Sequence, residues 1–163
     1  MKGFNRWLTV ITSLTMAVSA AYAAPKTLTN YEQLLQALEQ GDEVRAIIHM
    51  DKCTVNKADV KGAADIGGSS TRINFTLFSH YKVPVNGQEK YTVATSQTLF
   101  TEHRAFGPVY AYGRLRVFED NSAEFHAAYY DPKTYELKGA VNYNCHLGNG
   151  ADQNSIVLFD ASV

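Results

Sequence analysis

Between residues 72 and 147 the large apolar side chains keep mostly to odd positions, across one turn signal after another. RINFTLFSHYKV places Ile73, Phe75, Leu77, Tyr81 and Val83 on one parity, with Ser79 an exception and Phe78 intruding on the other. VYAYGRLRVFE continues with Val109, Ala111, Leu115 and Val117, and AEFHAAYYD with Ala123, Phe125, Ala127 and Tyr129. YELKGAVNYNCHL adds Tyr135, Leu137, Val141, Tyr143, Cys145 and Leu147. A period of two marks strands with one face turned to a core. Residues directly opposed across a strand pair share a face, so parity survives a turn only if the turn is odd.

The turns can be read on that rule. Asn86-Gly87 is a strong hairpin signal. An odd loop with Gly87 left-handed sets Tyr81 and Val83 beside Tyr91 and Val93, whereas a two-residue loop pairs Val83 with Lys90 and spoils the face. Pro84 lacks an N–H, which suits an edge or a bulge. A three-residue turn at Asp120-Asn121-Ser122 pairs Val117 with Phe125 and Leu115 with Ala127. Pro132-Lys133-Thr134 is the next turn, and SIVLFD closes the chain as a short strand.

One segment changes period. In LTNYEQLLQALEQG, Tyr31, Leu34, Leu35 and Leu38 fall on one helical face, Thr29 and Glu32 match the T-x-x-E capping box, and Gly41 supplies a left-handed stop. VRAIIHMD then returns to strand spacing through Val44, Ala46, Ile48 and Met50. Residues 57–70 are rich in Gly, Ala and Ser and read as a loop turning at Gly67-Gly68; the phosphate-cradling G-x-x-x-x-G-K-[ST] pattern is absent. The expected architecture is mainly β (α+β): a curved antiparallel meander or small β-barrel of about seven or eight strands with one N-terminal helix. A sheet wrapped on that helix, as in cystatins, is the alternative.

The first residues bear on compartment. Lys2 and Arg6 precede an uncharged run, residues 7–21, and then Ala21-Tyr22-Ala23. This is the pattern of a secretory signal peptide over residues 1–23, leaving one domain over 24–163. The run is too short and weakly apolar for a membrane span, and no second one follows. Removing Lys2 and Arg6 leaves 13 basic residues against 16 acidic, a net charge near −3. That argues against nucleic acid as partner. The two cysteines, Cys53 and Cys145, read as a disulfide in an oxidising compartment. A loop this long stabilises by about 4.5 kcal/mol in the chain-entropy treatment.

Catalytic signatures are thin. G-x-S-x-G and H-E-x-x-H are missing, and His49, His80, His103, His126 and His146 are scattered without metal-ligand spacing. No metal or cofactor is expected. A Cys–His unit at His49 and Cys53, or at Cys145 and His146, would need a free thiol. Glu102-His103-Arg104 reads as a solvated polar cluster. The even face of the 109–131 hairpin is richer. It carries Tyr110, Tyr112, Arg114, Arg116 and Phe118, with Glu124, His126 and Tyr130 opposite. The three-residue turn sets Phe118 against Glu124, Arg116 against His126 and Tyr112 against Tyr130. Rings offer stacking surface and Arg forks hold carboxylate or phosphate oxygens, so this face is a candidate binding surface. Ordinary cross-strand stabilisation accounts for the same residues.

The order of blocks, from the YEQLLQALEQGDEV helix through MDKCT to YYDPKTYEL and VNYNCHL, resembles the bacterial VirK family. The resemblance implies an exported Gram-negative protein linked to virulence or host association, and it supplies no catalytic residues. The expected function is a non-enzymatic binding or accessory protein in the periplasm or outside the cell, with delivery to a host conceivable. Its partner would be an unidentified protein or an envelope or host ligand. A small-ligand carrier with an apolar cavity lined by Phe75, Leu77, Leu115 and Phe125 is the second reading, and a Cys–His enzyme the third.

Overall fold

The structure is a computed structural model that describes residues 24–56, 70–148 and 155–162. The expected signal peptide, the expected turn at Gly67-Gly68 and most of the expected loop over 57–70 lie outside the described residues. Two antiparallel sheets face each other. The smaller has the order β1-β10-β2-β4, built from Lys26–Leu28, Ile156–Asp160, Val44–Ile48 and Thr71–Asn74. The larger is a meander, β3-β9-β8-β7-β6-β5, built from Thr54–Val55, Leu137–His146, Ser122–Tyr130, Gly107–Phe118, Gln88–His103 and Ser79–Val85. The sheets do not close into a barrel, and the ten strands among the described residues exceed the seven or eight expected, because β1 and β3 are short additions and the chain changes sheets between β4 and β5 where the sequence looked continuous.

The helix α1 spans Tyr31–Gln40. Its cap is one residue later than the expected box. The Asn30 side chain accepts from the Gln33 N–H at 2.9 Å, while Gln33 Oε1 accepts from the Thr29 N–H at 2.8 Å. Gly41, at φ 85°, ends the helix as expected. Tyr31, Leu34, Ala37 and Leu38 are buried and join Ile48, Ile73 and Leu158 of the small sheet against Val93, Leu115, Val117 and Phe125 of the large one. A hydrogen bond of 2.7 Å from the Tyr31 N–H to Asn121 Oδ1 ties the helix start to the β7–β8 turn.

The odd-parity rule holds for β7, β8 and most of β9. It fails at three places. The expected strand over residues 72–83 divides: β4 belongs to the small sheet, β5 to the large one, and the crossing leaves Leu77 82% exposed. The buried Thr95 hydroxyl holds the crossing chain by donating to the Leu77 carbonyl at 2.8 Å. In the next hairpin, Asn86 and Gly87 both take positive φ, 50° and 80°, and form a two-residue loop that pairs Val83 with Lys90. That is the loop rejected above on parity. Its geometry matches strand twist, and on this edge strand His80 and Lys82, not Tyr81 and Val83, share the face of Val93 and Tyr91. Finally, a register shift between Tyr129 and Tyr130 lets the β8–β9 turn run long, so Tyr135 and Leu137 are exposed.

The β7–β8 hairpin keeps parity with a register two residues tighter than expected. Asn121, at φ 63°, closes the turn, and Val117 pairs with Ala123 and Leu115 with Phe125. Cys53 and Cys145 are joined, pinning the start of β3 to β9 with Cα atoms 4.7 Å apart across a sequence separation of 92. The Cys–His enzyme reading loses its nucleophile by this bond.

Candidate functional site

The tighter register rearranges the outer face of the large sheet. Arg116 stands against Glu124, Arg114 against His126, Tyr112 against Ala128 and Tyr110 against Tyr130, in place of the pairs expected above. Arg116 is engaged with Glu124 at 3.6 Å. Phe118 is only 2% exposed, so it contributes nothing to an accessible surface. His126 Nδ1 lies 2.6 Å from Asn142 Oδ1, and its ring meets Tyr112 edge-on at 6.0 Å. Arg114 has no hydrogen bond or ion pair among the described residues.

Two hollows of about 290 Å³ each flank Arg114. One is walled by Tyr110, Tyr112, Tyr130 and Tyr135 over Thr98. The other runs from Leu77, Phe78 and Tyr81 to Arg114 itself. Tyr110, Tyr112 and Tyr130 thus wall one hollow and Arg114 the other, Arg116 stays on the same face held by Glu124, and Phe118 is buried.

Tyr135 was missed by the sequence pattern, which put it in the core. It is 68% exposed, and its backbone is left-handed at φ 59°. A bulky residue is an outlier there. The turn enforces it. The Tyr135 N–H donates to the Asp131 carbonyl at 2.9 Å, and the Asp131 carboxylate accepts from the Lys133 and Thr134 N–H groups at 2.9 and 3.1 Å and from Lys138 at 3.0 Å. Those bonds, led by the Lys133 N–H, hold the Asp131 carboxyl well below the usual carboxylate range. The result is a Tyr135 ring parallel to Tyr110 at 5.9 Å, with Phe100 edge-on to Tyr110 at 5.6 Å.

The inner face carries a second concavity. The carrier reading expected a cavity lined by Phe75, Leu77, Leu115 and Phe125, but Phe75 and Leu115 are buried in the packed core, Leu77 is outside it, and only Phe125 borders open space. The open space lies further along, where the small sheet ends at β4. There a cleft of about 640 Å³ is floored by Leu99, Ala111, Gly113, Phe125 and Ala127. Glu102, His103 and Arg104 line it, so that trio is part of a concave surface. Among the described residues no group of three acidic, His or Cys side chains is placed to hold a metal, and no helix is long and apolar enough to cross a membrane.

The sequence profile of the VirK protein family matches residues 27–135. No curated protein matches the chain. Among solved structures, a VirK family protein from Legionella pneumophila superposes with a TM-score of 0.61, covering 82% of this chain and 98% of that one at 15% identity. At that identity the likeness speaks for the fold alone.

Proposed function

Since the chain belongs to the VirK family, we propose that it is an exported, non-enzymatic binding protein that works beyond the cytoplasmic membrane and is linked to virulence or host association. It grips an extended ligand on the outer face of the large sheet. The ligand's chemistry follows from the residues. Arg114, without a partner, takes a carboxylate or phosphate. The tyrosine hollow on one side and the Leu77–Tyr81 hollow on the other take flat or apolar groups flanking that anion. The observation that carries the reading is Tyr135, held in a left-handed turn with its ring exposed and stacked on Tyr110. The disulfide and the residue 1–23 pattern support an oxidising compartment.

Two measurements test the two halves. For export, the protein is made in a Gram-negative host, fractionated and weighed; the expected species is oxidised and begins at Ala24. For recognition, peptide and glycan arrays bearing carboxylates or phosphates are probed with wild type and with Tyr112→Ala combined with Arg114→Ala. A charge-assisted hydrogen bond contributes about 1.5–3 kcal/mol, so binding drops about tenfold or more while the melting temperature stays put. Equal binding by both proteins returns these side chains to sheet stabilisation alone.

A further inference from the structure

The large sheet is longer than the layer that covers its inner face. In β6 to β9 the rows Val93–Val117–Ala123–Cys145 and Thr95–Leu115–Phe125–Tyr143 are buried. The next row but one, through Leu99, Ala111 and Tyr129, is not under the small sheet, and Leu99 is 45% exposed. The boundary is built. Gln97 lays its side-chain amide along the edge of β4, donating to the Arg72 carbonyl at 3.2 Å and accepting from the Asn74 N–H at 3.3 Å. Those are backbone groups an added strand would use, so the edge is closed to strand addition while the space beside it stays open.

That space has the make-up of a small-molecule site. Its volume of about 640 Å³ falls within the usual range of roughly 300–1,000 Å³, and it joins an apolar floor to a few polar groups. One end is an aromatic wall in which His103 stacks on Phe106 at 4.7 Å and lies 4.5 Å from Tyr129. His103 Nδ1 accepts from the Ala105 N–H at 3.1 Å, which leaves Nε2–H as the ring's donor. Two arginines, Arg72 and Arg104, line the cleft against one acid, Glu102. Glu102 sits on the outer-face parity, opposite that of Leu99 and His103. Arg72 also projects from its strand away from the core, but it is exposed at the sheet edge with a side chain long enough to swing over the cleft mouth. Arginine and an imidazole N–H can only donate, so the rim suits an acceptor, and although Arg104 is already engaged within the fold, two positive charges against one negative suit an anion.

We propose that this cleft binds a small amphiphilic anion, its apolar body on Leu99, Ala111 and Phe125 and its carboxylate or similar head toward His103 and the two arginines. The cleft opens on the opposite side of the sheet from the tyrosine hollow, and Tyr112 borders both.

The test titrates the whole oxidised protein with decanoate, decanol and decyltrimethylammonium below their micelle concentrations, by calorimetry. Decanoate is expected to bind one to one, about tenfold tighter than decanol, with the cation not bound. Ala111→Phe fills the cleft from a half-buried position and should weaken decanoate binding at least tenfold. Leu99→Trp obstructs the same floor, without adding charge, from an exposed position if the first variant does not fold. Arg104→Glu should erase the preference for decanoate over decanol. No saturable binding, or binding unchanged in both cleft variants, overturns the site. Equal affinity for all three amphiphiles overturns the anion. Co-sedimentation with phosphatidylglycerol vesicles in place of decanoate binding overturns the free small molecule in favour of a membrane surface.

Discussion

Leu115 and Leu99 face the same way on the same sheet, in neighbouring strands and two inward rows apart. Leu115 is 0% exposed and Leu99 is 45% exposed. Both stand on odd positions, so parity alone does not separate them, although Leu99 has Gln97 and Thr101 as its same-face neighbours and Leu115 has Gly113 and Val117. What separates them is the far layer: Ile73 at the end of the small sheet and the Gln97 bridge mark where the cover stops. Alternation tells a side chain which way to point, and a second element decides whether anything meets it. An apolar residue that points inward and meets nothing is available for a ligand.

The sharpest way to break this comparison is to truncate both leucines. Leu115→Ala leaves a void in a packed core and should cost about 2–5 kcal/mol. Leu99→Ala removes a side chain that is already half in solvent, and by the usual surface range it should cost about 0.5 kcal/mol or less. Urea denaturation of the two variants reads the difference directly. Equal costs would mean that the two ends are packed alike. The disulfide belongs to the packed end, where Cys145 shares a row with Val117 and Ala123. Replacing both cysteines by serine should cost about 2–4 kcal/mol, read by the same denaturation.

The packed end is also the legible end. Val117, Phe125, Tyr143 and Cys145 were placed correctly by parity, and the cysteine pair by compartment reasoning, because burial imposes alternation and oxidation pairs thiols. The open end was not legible. Alternation constrains Leu99 and Leu115 alike, so the cleft leaves no mark in the sequence. The candidate outer surface was half legible. Parity put Tyr110, Tyr112, Arg114, Arg116, His126 and Tyr130 on one face, but the register error of two residues mispaired them, and Phe118 is buried. A positive φ at Asn121 or at Asn86 tightens a turn in ways that hydrophobic parity cannot count. Tyr135 was misread for a similar reason: a register shift after Tyr129 breaks the odd-even rule, and only the Asp131 turn shows where the ring goes.

A smaller effect sharpens the comparison at the helix. Asn121 does two jobs at the packed end, adopting left-handed backbone and accepting the Tyr31 N–H. Asn121→Ala forfeits the bond and strains the turn, with an expected loss of about 1–2 kcal/mol. Asn121→Gly keeps the turn and loses only the bond, so it should cost about half as much in the same thermal melts. If Gly is as damaging as Ala, the backbone conformation is not what the asparagine provides.

The smallest expected effect compares the two aspartate-organised turns. At the packed end, partial burial pushes the Asp120 carboxyl up, but Lys90 together with the Ser122 hydroxyl and N–H outweighs it and holds the group at about 2. A carboxyl that is lower in the folded chain than in the unfolded one stabilises fully above the unfolded value. That contribution is lost as pH falls through the folded value, so the window lies between about pH 4 and pH 2. Asp120 is 45% exposed in its ion pair with Lys90, so screening limits the contribution to a few tenths of a kcal/mol, about 1 at most. Asp120→Asn should therefore lower the melting temperature slightly at pH 6, converge with wild type near pH 2, and show a smaller gap in 1 M salt. At the open end the Asp131 turn is tied to Tyr135 rather than to the core. Asp131→Asn should lower the melting temperature slightly, as at Asp120, and in addition alter the near-ultraviolet circular dichroism of the stacked tyrosines. A variant that melted early without changing that signal would show that the turn serves the fold, and that the exposed ring on it is incidental.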